Sequence, residues 1–254
     1  MQKSKDLTAA DFPGVEPQTL SGSLPGRLFG IFYSPGDTFG EIVQYPNFLA
    51  PLLLTVLASI AVTETILKEI GVERILLTQL AHSARASSMT PDQLEQVVRQ
   101  SAGVTKMMMH GSFIMVPLGI AIVAAIGLAV VNLIHGRNIS FRTAFSVTCY
   151  ANLVNVLGLL MALPVVIWGE PEQFNPQSFI PSNLGFFLTP TGNSKFLMSL
   201  AGSVDLLTIW YVILLGIGFS ASTDRKLGAT GISLYLFGLW GVWIVVKAGL
   251  AALV

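Results

Sequence analysis

Residues 143–168, TAFSVTCYANLVNVLGLLMALPVVIW, form the stretch that decides the fold, because they run without one charged side chain. About 20 helical residues cross a hydrocarbon core of about 30 Å, so this run is long enough to span a membrane. Backbone groups in lipid must find hydrogen-bond partners within their own segment, which favours a helix over an isolated strand. The stretch therefore predicts a transmembrane helix.

Four further apolar runs are long enough to do the same, at 47–67, 111–134, 196–219 and 230–253. Only 11% of the chain is charged and its mean hydropathy is +0.68, whereas soluble domains carry about 25% charged residues. Continuous apolar runs disfavour a barrel, whose strands would be short and alternating. The sequence predicts an all-α, polytopic membrane helix bundle with five transmembrane helices.

The sequence lacks the residues that several classes of function require. Fourteen basic and fourteen acidic residues cancel, so we expect no nucleic acid partner. The three histidines are scattered, Cys149 is the single cysteine, and neither a GxSxG elbow nor a Walker loop occurs, which argues against a metal, cofactor or catalytic site. We expect no enzyme; the expected partners are the lipid bilayer and other membrane or cytoplasmic proteins.

The N-terminal region divides into two parts. Residues 1–26 mix charged, proline, glycine and serine residues without periodicity, which predicts a flexible cytoplasmic tail. Residues 27–46 are rich in aromatic residues just before the first span, which is typical of the headgroup level. We expect this interfacial segment to form one or two short helices along the membrane surface, broken at Pro35-Gly36.

The short loops predict the orientation. Loop 135–142 carries Arg137 and Arg142, and loop 220–229 carries Arg225 and Lys226. The positive-inside rule then places the N-terminus in the cytoplasm and the C-terminus outside, in a cell membrane that we expect to be a bacterial inner membrane. The long first loop also carries basic residues on the predicted outer side, although acidic residues accompany them.

The first extramembrane loop is predicted to be helical. Thr90, Pro91 and Gln93 form a helix-start signal, with a threonine cap, proline at the first position and glutamine three residues after the cap. We expect this helix to end near Gly103. The third loop, 169–195, is predicted to be irregular because it is rich in proline and phenylalanine.

Two spans carry stripes of small residues at helical spacing. The third span has Ala144, Thr148, Ala151, Asn155, Gly158 and Ala162, and the second has Ala121, Ala125, Ala129 and Asn132. Such stripes usually pack helices against each other. The alternative is a polar pathway between spans, lined by Asn152 and Asn155.

Three ionisable residues lie within the predicted spans, namely Glu64, Asp205 and Lys247. A carboxylate near the middle of a span costs about 2.5 to 3.5 kcal/mol, so it is expected to face the bundle with a partner. Lys247 is the predicted partner of Asp205, because their expected depths differ by only about 5 Å. Glu64 joins this polar network or pairs with Lys68 one turn later. Two other interpretations are a snorkelling Lys247 with a protonated Asp205, and a coupling site for ions or protons.

The order and spacing of four stretches resemble the Yip family, proteins named as interactors of Ypt/Rab GTPases, and specifically its prokaryotic branch. They are IFYSPGDTFGEIVQYPNFLAPLLL (31–54), GRNISFRTAFSVTCYANLVNVLGLL (136–160), SVDLLTIWYVILLGIGFSAST (203–223) and RKLGATGISLYLFGLWGVW (225–243). The resemblance implies a Yip-like membrane domain over 27–254, with five spans and a cytoplasmic N-terminus. The DLYGP-type motif of eukaryotic members is absent, so their role in vesicle traffic is not carried over.

Two hypotheses for function follow. The first is a non-enzymatic membrane protein that organises or recruits partners through its N-terminal segment and helix faces. The second is a transporter or channel component that uses Asp205, Lys247 and Glu64 within the bundle.

Overall fold

A computed structural model of the chain describes residues 22–81, 89–170, 174, 179–188 and 195–253. These residues form eleven α-helices and contain no β-strand. The helices are α1 (Leu24–Tyr33), α2 (Pro35–Gln44), α3 (Leu49–Glu69), α4 (Val72–Ala81), α5 (Pro91–His110), α6 (Ser112–Ala129), α7 (Phe141–Ala151), α8 (Leu153–Trp168), α9 (Lys195–Ala201), α10 (Leu206–Ala221) and α11 (Ala229–Leu253). The predicted all-α bundle is confirmed.

Four helical segments are long and apolar enough to cross a membrane by length and composition, and a fifth is shorter. The four are Leu49–Glu69, Phe113–Ile134, Phe141–Trp168 and Ala229–Ala251, and the shorter one is α10. The predicted span 196–219 is therefore wrong as a continuous helix, because residues 202–205 break it into α9 and α10. Asp205 adopts extended backbone angles and caps α10, so the chain starts a new helix there instead of extending α9.

Two other spans change their helical geometry locally. The second span ends in a π-helical turn, Val130–Ile134. Asn132 lies in this turn, and its side-chain amide exchanges two hydrogen bonds with the backbone of Ile139. The third span is divided at Asn152 into α7 and α8. These joints bring side-chain amides to places where the regular backbone ladder is interrupted.

The first extramembrane loop is helical, as predicted. Thr90 and Gln93 form both hydrogen bonds of the capping box, with Pro91 at the helix start. The predicted end at Gly103 is wrong, because α5 continues to His110. Only Gly111 separates α5 from α6, and a single glycine with helical angles does not stop the helical path.

The N-terminal layer, which we define as α1 and α2, begins at Leu24 with Ser23 as its cap. Its break falls at Ser34, next to the predicted Pro35-Gly36. The start lies three residues before the predicted segment 27–46, and residues 1–21 of the predicted tail lie outside the described part of the chain. The layer packs on α7 and α10, with Ile31, Phe39 and Ile42 fully buried. It therefore belongs to the core, and its contact with lipid headgroups stays a prediction.

The core centres on α7, in which every residue from Ala144 to Ala151 is buried. The predicted stripe of the third span is buried except for Asn155, which is half-buried. The predicted stripe of the second span is wrong, because Ala125 is exposed whereas Ala124 and Gly127 are buried. The Phe219 ring lies over Gly127, and it would clash with a side chain there. This large neighbour selects the buried face of α6.

Candidate functional site

A cavity of about 540 Å³ lies between α3, α6, α8 and α10. Its wall is mainly apolar, and polar side chains from three helices and the α10 cap interrupt it. The lining residues are Thr55, Ser59, Met115, Val116, Gly119, Ile120, Val123, Asn152, Asn155, Gly158, Leu159, Ile180, Asp205, Leu207 and Tyr211. Three of the five residues predicted as a polar network, Asn152, Asn155 and Asp205, therefore border the same space.

The two asparagines form a hydrogen-bonded cluster with α3. The Asn155 Nδ2 group donates to Asn152 Oδ1 at 2.8 Å, and Asn152 Nδ2 donates to Thr55 Oγ1 at 3.4 Å. Thr55 in turn donates to the Pro51 carbonyl oxygen at 2.9 Å. Each amide has two donor hydrogens and an acceptor oxygen with two lone pairs, which exceeds what these contacts use. The cluster thus fixes α3 to α8 and leaves hydrogen-bonding capacity at the cavity.

Asp205 serves as the N-cap of α10. Its carboxylate accepts hydrogen bonds from Leu207 N and Thr208 N, both at 3.2 Å, and from Thr208 Oγ1 at 2.9 Å. A negative charge at this position complements the positive end of the helix. Asp205 is therefore stabilised by its own helix start, which needs no lysine partner.

The loop 179–188 closes over the break between α9 and α10. Asn183 forms an isolated antiparallel bridge with Asp205, and its Nδ2 donates to the Gly202 carbonyl oxygen at 2.6 Å. Leu184 N donates to the Val204 carbonyl oxygen at 3.0 Å, and Leu206 N donates to the Ser182 carbonyl oxygen at 3.2 Å. Exposed backbone groups are costly in lipid. The loop supplies the partners that the broken helix lacks.

Lys247 lies near this break and outside the cavity lining. Its Nζ donates to Ser203 Oγ at 3.1 Å, and the lysine is exposed. No ion pair joins it to Asp205 within the described ranges. The physical reason is the helix break, which gives Asp205 backbone donors and brings the Ser203 hydroxyl to the lysine.

Glu64 belongs to a different contact. Its Oε1 lies 3.0 Å from Nε2 of His110, while Lys68 pairs with the adjacent Glu69 at 3.0 Å. The proposed pair of Glu64 with Lys68 is therefore replaced by a contact between α3 and the end of α5. Of the five predicted residues, three therefore line the cavity, whereas Lys247 and Glu64 each form a separate contact elsewhere.

Sequence reasoning missed four participants, namely Thr55, His110, Asn183 and Ser203. A signal for the helix break existed, because Gly202 and Ser203 precede Asp205, and these residue types favour helix ends and starts. No comparable signal links Thr55 to Asn152 or His110 to Glu64, because these contacts depend on how separate helices pack.

The chemistry available at the cavity is binding through hydrogen bonds and apolar contact. No cluster of three His, Cys, Asp or Glu side chains that could hold a metal ion is found among the described residues. Cys149 is fully buried in α7 and does not line the cavity. An apolar wall with a few fixed polar groups is the usual form of a small-molecule site.

Comparison with known proteins identifies a protein family but no individual relative. The sequence has no match among curated proteins or among solved structures. The model of the Yip1 domain matches residues 29–248, a range that includes α2 to α10, the cavity and parts of α1 and α11. The chain therefore belongs to the Yip1 domain family.

Proposed function

We propose that this Yip1 domain protein has no catalytic activity and organises or recruits partner proteins through its N-terminal layer. The observation that supports this is the division of the layer into two faces. Its inner face is fully buried at Ile31, Phe39 and Ile42, whereas Phe29 and Tyr33 are 66% and 71% exposed. These two aromatic residues are four positions apart in α1, so they lie on one face of the helix.

The bundle holds this face in place. The Phe32 ring contacts Trp210 of α10 edge-on, with 5.7 Å between ring centroids. Arg225, in the loop after α10, donates to the Gly36 carbonyl oxygen at 3.3 Å. A surface that is ordered before binding loses less conformational entropy when a partner docks. Exposed tyrosine and phenylalanine are also typical anchors of protein interfaces.

The test must leave the inner face intact. Deleting residues 1–46 would strip Phe39 and Ile42 from the core, so loss of a partner would not separate binding from folding. The double substitution Phe29→Ser and Tyr33→Ser changes only the exposed face. Phe187→Ser is the matched control, because Phe187 is 70% exposed and lies in the loop that closes over the helix break.

The expected result is a stoichiometric partner that copurifies with the parent protein and with Phe187→Ser in mild detergent. We expect the double variant to lose at least nine tenths of it while keeping the thermal stability of the parent. A partner retained by the double variant, or no stoichiometric partner of the parent, would contradict the proposal.

We also propose that the end of the bundle that carries the N-terminal layer faces the cytoplasm of a bacterial cell, with the C-terminus outside. Five basic residues at this end lie in the layer, in the first turn of α7 or in the short loops before α7 and after α10, namely Arg27, Arg142, Arg137, Arg225 and Lys226. Basic residues in short loops favour the cytoplasmic side. Attachment of a membrane-impermeant label to single cysteines introduced into loop 135–140 tests this orientation, and labelling of intact cells there would contradict it.

A transporter or channel component is the second candidate. The cavity that reaches Asp205 supports it, whereas Lys247 and Glu64 do not line this cavity, so we rank it below the first. Reconstituted vesicles provide the test: absence of flux with the parent protein, or equal flux with Asp205→Asn, would remove this candidate.

A further inference from the structure

A second cavity, of about 380 Å³, lies where the N-terminal layer meets the first residues of two spans. Two arginines line it, one from α1 and one from the first turn of α7, and no carboxylate does. The lining residues are Arg27, Gln44, Tyr45, Pro46, Asn47 and Arg142. We infer that this cavity, here named the arginine cavity, binds the phosphate group of an anionic ligand.

Arg27 is fixed in the wall of the arginine cavity without being saturated. Its Nη1 donates to the Tyr45 carbonyl oxygen at 3.3 Å, and its Nε lies 3.6 Å from Glu41 Oε2. That distance is too long for a hydrogen bond, and both atoms are buried without a hydrogen-bond partner. The Tyr150 hydroxyl also interacts with this guanidinium. A guanidinium has five N–H donors, so Arg27 retains Nη donors for a ligand after these contacts.

Arg142 stands in an unfavourable place without an anion. It is the second residue of α7, whose first turn contains no acidic residue. A cation there is repelled by the positive end of the helix. Arg142 is exposed, and its guanidinium has neither a hydrogen bond nor an ion pair within the part of the chain that the structure describes. A bound anion would offset this repulsion, and α3 begins beside the same cavity with its own positive end.

The charge of the site selects the ligand class. Two guanidinium groups and the nearby Glu41 carboxylate leave a net charge of about +1, which complements the single negative charge of a phosphodiester. Arginine also matches the geometry of phosphate oxygens through paired N–H donors. We therefore expect a phosphodiester to be preferred over a neutral ligand.

The position of the cavity favours a lipid as the source of the phosphate. The spans α3 and α7 begin at Leu49 and Phe141, so the cavity lies at the level where the chain enters the membrane. Leu49, Tyr45 and Phe141 are exposed around it and provide apolar contact for the glycerol and acyl groups. Basic pockets at helix ends commonly bind anionic lipid headgroups.

The experiment uses the full chain in mild detergent and measures binding by native mass spectrometry. The probes are phosphatidylglycerol, phosphatidylcholine and inorganic phosphate, added separately. Arg142→Gln is the main variant, because an exposed side chain without partners can be replaced without loss of folding. Lys226→Gln is the matched control, since it removes the same charge from an exposed position at the same end of the bundle and outside the arginine cavity.

We expect phosphatidylglycerol to bind the parent and Lys226→Gln equally, and to bind Arg142→Gln about tenfold to a hundredfold more weakly, as expected for loss of charge-assisted hydrogen bonds. Arg142→Lys should recover only part of the affinity, because an ammonium lacks the paired donors. Displacement of the lipid by millimolar inorganic phosphate would identify a free phosphate compound as the ligand, whereas resistance to it identifies the lipid. Equal lipid binding by Arg142→Gln and the parent, or an equal loss in Lys226→Gln, would overturn the inference.

Discussion

Replacing Asp205 with alanine removes the acceptor for two backbone N–H groups and one hydroxyl at the start of α10. The two N–H groups lie 3.2 Å from the carboxylate oxygens, and Thr208 Oγ1 lies at 2.9 Å. Loss of an N-cap costs about 0.5–2 kcal/mol. Asp205 is half-buried, so water replaces the lost acceptor poorly, and we expect a cost near 2 kcal/mol in the free energy of unfolding.

The substitution Asp205→Asn keeps a hydrogen-bond acceptor at the cap and removes the negative charge. Asparagine caps helices about as well as aspartate, and it loses only the charge–dipole attraction of about 0.3–1 kcal/mol. We therefore expect Asp205→Asn to lose at most about half as much stability as Asp205→Ala. Thr208→Val, which removes the hydroxyl donor and keeps both backbone caps, is expected to resemble Asp205→Asn.

The assay is unfolding in mixed micelles with increasing sodium dodecyl sulfate, followed by thiol labelling. Cys149 is the single cysteine of the chain and is fully buried in α7, so it reacts only after the bundle opens. An unchanged midpoint in Asp205→Ala would refute the capping role. An equal loss in Asp205→Asn would show that the negative charge of Asp205 contributes more to stability than its capacity as a hydrogen-bond acceptor.

The remaining predictions concern packing and local stability. Gly127→Ala should cost about 1–3 kcal/mol because the new methyl group would overlap the Phe219 ring, most severely at Cζ and Cε2. Gly119→Ala on the same helix meets nothing within 4 Å and should be neutral or slightly stabilising. Equal midpoints for the two variants in the same unfolding assay would contradict this. Phe39→Ala, which empties a fully buried position, should cost about 3–5 kcal/mol, and a parent-like midpoint would show that the N-terminal layer is not part of the core. Thr90→Ala should cost about 1 kcal/mol locally, seen as faster hydrogen exchange in α5 with an unchanged midpoint for the bundle; unchanged exchange in α5 would contradict it.

The membrane spans were predictable because their physical requirement is local. A helix in lipid has to satisfy its own backbone over about 20 residues, and that requirement is visible as an uninterrupted apolar run. The α5 start was predictable for a similar reason, since Thr90 and Gln93 satisfy each other's backbone groups within one turn. The high hydropathy of residues 196–219 predicts one continuous span, which is wrong, because apolar residues continue on both sides of the short break.

The assembly of the site could not be predicted, because it depends on distant partners. Asn152 and Asn155 were expected near each other, yet the Thr55 hydroxyl that anchors them comes from a separate span. Equal depth in the membrane predicts a pair between Asp205 and Lys247 only if both helices are continuous, and the helix that contains Asp205 is broken at residues 202–205. The aromatic residues of segment 27–46 suit a membrane interface and a protein core equally well. Only the packing of Phe39 beside Gly218 shows that the inner face of this segment belongs to the core.

The shortness of α10 has a consequence for the surrounding bilayer. Its 16 residues extend about 24 Å, which is about 6 Å less than a typical hydrocarbon thickness. The loop with Asn183 closes over the start of α10 through backbone hydrogen bonds to residues 204–206. Neighbouring lipids meet a thinner hydrophobic belt there than along the 25-residue α11, and a membrane that is locally compressed or enriched in short-chain lipids would match it best.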